Sequence, residues 1–327
     1  MNIFRATINR NRKIDLSDEL AGFYGTHRSG WAWAISHLKP LHNPSGVLLD
    51  SFIERSFAWN PKQVRTHKRP WIGFIHVPPN IPDWFQSYQS NNSVFQSEAF
   101  RESYSYCKGI FTLSDYHRKY LLQKLDIPIN NLYHPTETPD LKWTWDNFEK
   151  NKEKKIIQAG WYLRQLHAIF QLPQSSYKKI FLKINYFDIA PIIEKERERL
   201  SAQGQFVNEM YSSAETVEFI PNNEYDKLLS ENILFLNLYD ANANNAVLES
   251  IVRDTPLLVN PIEAVREYLG EDYPFYYNTL EEAVEKAENK ELVYKTHEYL
   301  KNHSFKEKLS GEYFLKSFKD SEIYKSL

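Results

Sequence analysis

The chain contains a single cysteine, Cys107 in the stretch SYCKGIFTLS. One cysteine excludes an internal disulfide, and no Cys/His spacing in the sequence matches a zinc site. That usage fits a reducing compartment. A long apolar run is also missing. No stretch approaches the length needed to span a bilayer, and the opening MNIFRATINRNRK lacks the apolar centre of a secretory signal. The expectation is a cytoplasmic protein that meets a membrane only at its surface. An excess of one charge is lacking too: 40 Lys and Arg stand against 42 Asp and Glu. This balance argues against nucleic acid or an anionic membrane as the main partner. Repeats and low-complexity segments are absent.

The composition that remains is that of an ordinary globular protein, 42% hydrophobic and 25% charged. With 327 residues the chain is long enough for two domains. Aromatic residues reach 15%, which suits either stacking platforms for flat or sugar-like ligands or an aromatic-rich core.

Short apolar runs alternate with amphipathic stretches along the first half: NIFRATI, GWAWAISHL, GVLLDSFI, RPWIGFIHV and KGIFTLS, the last followed by DYHRKYLLQKL. WIGFIHV and GIFTLS read as buried strands of a parallel sheet. Between Pro135 and Lys155 the pattern becomes charged, with prolines at its start, as in a linker. The alternation then restarts with KKIIQAG, KKIFLKINY, IAPIIEKERERL, VEFIP, EYDKLLSE and ILFLNLY. Two such series predict two doubly wound Rossmann-like domains, 1–150 and 151–300, with ligands at the strand C-termini and a helical tail over 301–327.

Four places carry chemistry in this pattern. His76 ends a buried strand, where an imidazole can bond a ligand hydroxyl or exchange a proton, or simply be satisfied by local backbone. Gly160 ends another, which lets the backbone approach a ligand closely. Arg164 is expected one helical turn further on, either as a bidentate phosphate ligand or as a solvated loop arginine. Gly25, Ser29 and Gly30 form a small-residue turn before GWAWAISHL, suited to a phosphate or sugar and equally to an ordinary turn. Finally, NLYDANANNAVLES places Asn242, Asn244 and Asn245 before an apolar run that contains Ala246 and Glu249. Asparagine is favoured at a helix N-cap, so a helix is expected from Asn244–Asn245 to Val252–Arg253. Its positive end can hold an anion, and Glu249 either accepts vicinal hydroxyls or serves as a first-turn acid.

In their order these pieces resemble GT-B glycosyltransferases, particularly the retaining family-4 type, over most of the chain and most strongly from Lys154 to Gly270. KIIQAGWYLR is similar to the strand, Gly and Arg that hold a donor diphosphate, although Arg164 stands four residues after Gly160 and His167 occupies the place of the family's lysine. Glu249 with SIVRDTPLLVN resembles the glutamate that binds the nucleotide ribose. The family's earlier glutamate, which contacts the donor sugar, is missing. Asp240, Asn242 and Asn244 stand near its position. FIHVPP resembles the strand whose histidine lies near the reaction centre, and GTHRSGW falls where the family keeps its glycine-rich loop. The tail resembles the C-terminal helix that crosses back onto the first domain.

The resemblance implies a GT-B fold with a central cleft. It implies transfer of a sugar from a nucleotide-diphosphate donor to a glycan, lipid-linked or protein-linked hydroxyl, with retention. His76 and Arg164 are the expected catalytic residues, and no cofactor or metal is expected. Two competing readings are a nucleotide-sugar epimerase, for which Asp240 or Glu263 is the best candidate base, and a sugar- or nucleotide-binding protein without activity.

Overall fold

The computed structural model describes residues 12–17, 30–60, 62, 64–184, 187–205, 214–218 and 220–327. The run NIFRATI lies outside them. Two compact units make up the chain: the part up to Glu137 joined by Glu307–Leu327, and Thr138–Lys306.

The first unit holds strands β1 (Ile14–Asp15), β2 (Val47–Asp50), β3 (Trp71–Phe74), β4 (Cys107–Thr112) and β5 (Ile129–Asn131), paired parallel in that order. Trp71, Ile72 and Phe74 are all buried, as expected of a parallel sheet covered on both faces. On one face Trp71, Ile75 and Ile110 pack with Leu48, Phe57 and Phe100. Strands laid down in sequence order carry most of their right-handed crossovers on one side. On the opposite face Trp31 of the β1–β2 connection meets Phe74 edge-on at 5.0 Å, and the rest needs cover from elsewhere. Residues near 320 supply it. Phe318 of the Gly311–Asp320 helix stacks on Phe111 at 5.0 Å, and Phe314 stands 6.1 Å from Phe74. Beyond it, Ile323 lies so close to β4 that a Cβ on Gly109 would meet its Cγ1 at 2.6 Å.

The second unit holds β6 (Lys155–Ala159), β7 (Lys178–Leu182), β8 (Ala214–Val217), β9 (Ile233–Leu236) and β10 (Leu257–Val259), all parallel, in the order β10-β9-β6-β7-β8. The chain runs outward from β6 through β7 to β8, then returns to the other side of β6 as β9. Between β6 and β9 the winding reverses, which in open α/β sheets is where ligands bind. Side-chain caps start the helices around this sheet: Thr144 accepts from the Asn147 N–H, Asn244 from Ala246 and Thr279 from Glu282.

The stretch 135–155 is largely structured rather than a linker. Trp143 is buried, its N–H bonds Arg253 O at 2.8 Å, and its indole bonds Asn232 O at 2.9 Å. The division therefore falls at Glu137 instead of residue 150. The second falls at Lys306, which is ion-paired with Asp254 inside the second unit. Among the described residues no helix is long and apolar enough to cross a membrane.

Candidate functional site

At the reversal in the second unit, Gly160 follows β6 with φ +79°, a conformation that favours glycine. A Cβ there would lie 2.7 Å from Arg164 Cζ, so the guanidinium rests directly on the glycine. Arg164 does not sit one helical turn on. It lies in a turn and bridges Leu238 just beyond β9, because the chain from Trp161 to His167 folds back along that strand end. Its side chain is buried, donating from Nη2 to Asn244 Oδ1 at 3.2 Å and from Nη1 to Tyr162 O at 3.3 Å.

Asn244 is the N-cap of the nine-residue helix Asn245–Arg253, and the same Oδ1 accepts the Ala246 N–H at 3.1 Å. A guanidinium and the positive end of a helix thus meet at one oxygen, between the ends of β6 and β9. That combination suits an anion with several oxygens. Of the neighbouring asparagines, Asn242 is buried and Asn245 is exposed. Asp240 is buried, with Oδ1 taking the Ala241 N–H at 2.8 Å. Glu249, only 4% exposed, takes the Tyr225 hydroxyl on Oε2 at 2.8 Å.

Sequence reasoning missed the support beneath these loops. His167 is buried, and its backbone N–H and Nδ1 bond Glu196 Oε2 at 2.9 and 2.6 Å. The other Glu196 oxygen accepts from the Tyr239 hydroxyl at 2.5 Å. One carboxylate therefore ties the Arg164 loop to the segment after β9. Burial, and then the charge of Glu196, push the Tyr239 phenol far up, which keeps it a hydrogen-bond donor. The sequence carries a signal for it, because Glu196 lies one helical turn after Ile192 in IAPIIEKERERL and so shares its face.

In the first unit, His76 stands just past β3 and is half-buried. Its Nε2 donates to Ser51 O at 2.9 Å. The ring stacks on Phe52 at 3.8 Å and meets Trp31 edge-on at 4.5 Å. Burial pushes the imidazole down to about 3, so it is neutral at physiological pH. Gly25 and Ser29 lie outside the described residues. Gly30 precedes the short Trp31–Ser36 helix and accepts the Trp33 and Ala34 N–H groups. Glu54 of GVLLDSFIERSF is fully buried under the His76 turn. Among the described residues no group of three or more His, Cys, Asp or Glu side chains is placed to hold a metal ion.

No protein-family model matches the chain, and no curated protein matches it. Solved structures do match. A UDP-forming α,α-trehalose-phosphate synthase from Burkholderia vietnamiensis superposes with TM-score 0.53 at 12% identity, covering 90% of this chain and 78% of that one. HepE from Anabaena, solved with UDP and glucose, gives TM-score 0.56 at 9% identity over 77% and 71% of the two chains. A trehalose-6-phosphate synthase studied for glycosyl transfer with retention gives 0.58 at 11% identity over 90% and 77%. With two parallel five-stranded sheets and these neighbours, the chain has the GT-B fold.

Proposed function

We propose that the protein is a glycosyltransferase that moves a sugar from a nucleotide-diphosphate donor to an acceptor hydroxyl. The observation that carries this reading is the meeting of Arg164, Asn244 and the helix N-terminus at the β6–β9 reversal. Gly160 lets a diphosphate approach the backbone there, and Arg164 with the helix N-terminus offsets the charge that develops on the leaving group. Glu249 takes the ribose hydroxyls, in exchange for or alongside the Tyr225 hydroxyl. Asp240, Asn242 and Asn245 are assigned to the donor sugar, and His76 with the turn at Gly25, Ser29 and Gly30 to the sugar or acceptor.

Positioning and charge stabilisation are the main demands of such a transfer. Because Arg164 and the helix supply the positive charge, the reaction is proposed to need no metal, so that chelation with EDTA leaves the rate unchanged. Retention is proposed by analogy with the trehalose-6-phosphate synthase neighbour; NMR of the fresh product's anomeric signal tests it.

The first test is thermal stability against UDP, GDP, dTDP, CMP and ADP, since a ligand of the folded state raises the midpoint. Transfer from the sugar donor of the preferred nucleotide follows. The reading fails if no nucleotide diphosphate raises the midpoint and no donor is consumed. Isomerised sugar without an acceptor would mark an epimerase, for which the exposed Glu263 is poorly placed and Asp240 remains the candidate base. Nucleotide bound without turnover would mark a binding protein.

A further inference from the structure

Segment 51–54 of the first unit grips His76 from several sides at once. Ser51 O holds the ring Nε2, and Phe52 stacks on the ring face. Glu54 Oε1 accepts the backbone N–H of His76 at 2.8 Å and of Val77 at 2.7 Å. Glu54 is 0% exposed, and its Oε2 has no hydrogen-bond partner among the described residues. A buried carboxyl that offers one oxygen to two consecutive amides, and leaves the other without a donor, is a costly arrangement. An apolar residue would remove the orphan oxygen but leave the His76 and Val77 amides without this acceptor, so the carboxyl is held here for the two bonds it accepts.

We infer that Glu54 is the positioning residue of the His76 turn, and that its grip tightens when this carboxyl ionises. The ionised form makes charge-assisted bonds to the two amides, while the neutral form makes weaker ones. Burial pushes the Glu54 carboxyl up to about 7 against the pull of the Val77, Glu54 and His76 N–H groups, and the nearby charge of Asp50 adds to the rise. Asp50 itself is raised by burial, but the hydrogen bond and charge of His67 more than offset this, leaving it below its ordinary value. Burial also pushes the neighbouring imidazoles of His76, His117 and His134 down, to about 3, 3 and 4. Those three stay neutral through the range in which Glu54 changes charge.

The sign of the linkage follows. The folded carboxyl holds its proton up to about 7, whereas the unfolded one releases it near 4.5. Its contribution to stability is therefore complete below 4.5 and gone above 7. Ionisation costs the fold because the charge is buried, and it strengthens the two amide bonds only against openings that keep Glu54 buried. The three histidines act in the opposite direction, so the test is a difference between variants.

Glu54→Gln keeps the acceptor oxygen without the charge. Relative to this variant, the wild-type unfolding constant is expected to rise on the order of a hundred-fold between pH 4.5 and 7.5. Hydrogen exchange at the His76 and Val77 amides, through local openings that leave Glu54 buried, should match in the two proteins at pH 5.5 and be several-fold slower in wild type at pH 8, whereas exchange through complete unfolding should be faster there. If Glu54→Gln folds poorly, Glu54→Asp substitutes. It still titrates but is too short to reach both amides, so it should lose protection at both pH values. Equal exchange ratios at both pH values would overturn the inference, as would pH dependence that survives unchanged in Glu54→Gln and so belongs to other groups. The consequence for transfer rests on the glycosyltransferase reading: kcat of wild type over Glu54→Gln should rise several-fold from pH 5.5 to 8 with donor KM unchanged. An inactive protein that passes the exchange and stability tests counts against that reading and leaves the role of Glu54 standing. A flat kcat ratio in an active one counts against Glu54.

Discussion

At the scale of single residues, the second unit concentrates its positive charge on one planar group. Arg164 reaches Asn244 and the Tyr162 carbonyl through different nitrogens while lying against Gly160. A lysine offers one point charge and no fork. Arg164→Lys is therefore expected to lower nucleotide-diphosphate affinity by roughly 10–100-fold, the loss of one charge-assisted pair, measured by calorimetry. Because the side chain is buried, Arg164→Ala should also cost stability, about 1–3 kcal/mol. An affinity equal to wild type in the lysine variant would remove the guanidinium from the anion site. A second residue-scale expectation concerns acid. Burial holds His76, His117 and His134 below their ordinary values. Their contribution to stability is full above 6.5 and lost as pH falls through that value toward 3. Denaturant titrations of Glu54→Gln, which removes the opposing carboxyl, should give a midpoint that falls steadily from pH 6.5 to 4. A midpoint that stays level would mean that these rings are protonated in the folded state.

At the scale of elements, Gly109 and Gly160 are glycines for different reasons. Gly160 supplies a left-handed backbone beneath a guanidinium, and Gly109, besides a φ of +154° that side chains rarely adopt, supplies room for Ile323 and the Pro128 carbonyl. Gly109→Ala should force the Glu322–Ser326 helix away from β4 and destabilise the first unit by about 1–3 kcal/mol, as overpacking does; chemical denaturation of the variant measures it. Buried parallel strands were legible in the sequence because both faces are covered: ILFL is an unbroken apolar run, and KIIQA and GIFT are largely apolar. The helix at Asn244 was legible from its cap. Strand ends were not: WIGFIHV stops being a strand at Phe74, since ladder hydrogen bonds decide the end and hydrophobicity continues past it. The charged, proline-bearing stretch 135–155 concealed a buried Trp143, whose partners Asn232 and Arg253 are far away in sequence. Glu54 and Glu196 escaped notice because a carboxylate is usually solvated, and only tertiary structure reveals the amides, imidazole and phenol that hold these two.

At the scale of the whole molecule, the second unit is one continuous stretch, whereas the first is assembled from two. Thr138–Lys306 expressed alone should fold cooperatively, seen as a single denaturation transition, and bind the preferred nucleotide diphosphate. The part ending at Glu137 should not fold alone, and adding a peptide of residues 307–327 should restore its structure. A folded, stable 1–137 fragment would show that the sheet needs no cover from Phe314 and Phe318.

The same discontinuity sets a clock on synthesis. Once β3 and β4 have left the ribosome, the Phe74 and Phe111 face waits for Phe318, while all of Thr138–Lys306 is translated in between. At ordinary elongation rates that interval is about ten to thirty seconds. Throughout it the nascent chain leaves Phe111, and the side of Phe74 that Trp31 does not meet, uncovered on a parallel sheet, a surface that chaperones or neighbouring nascent chains can occupy first. Yield in the cell is thus expected to respond to translation speed across the second unit, even where synonymous codons leave every residue unchanged.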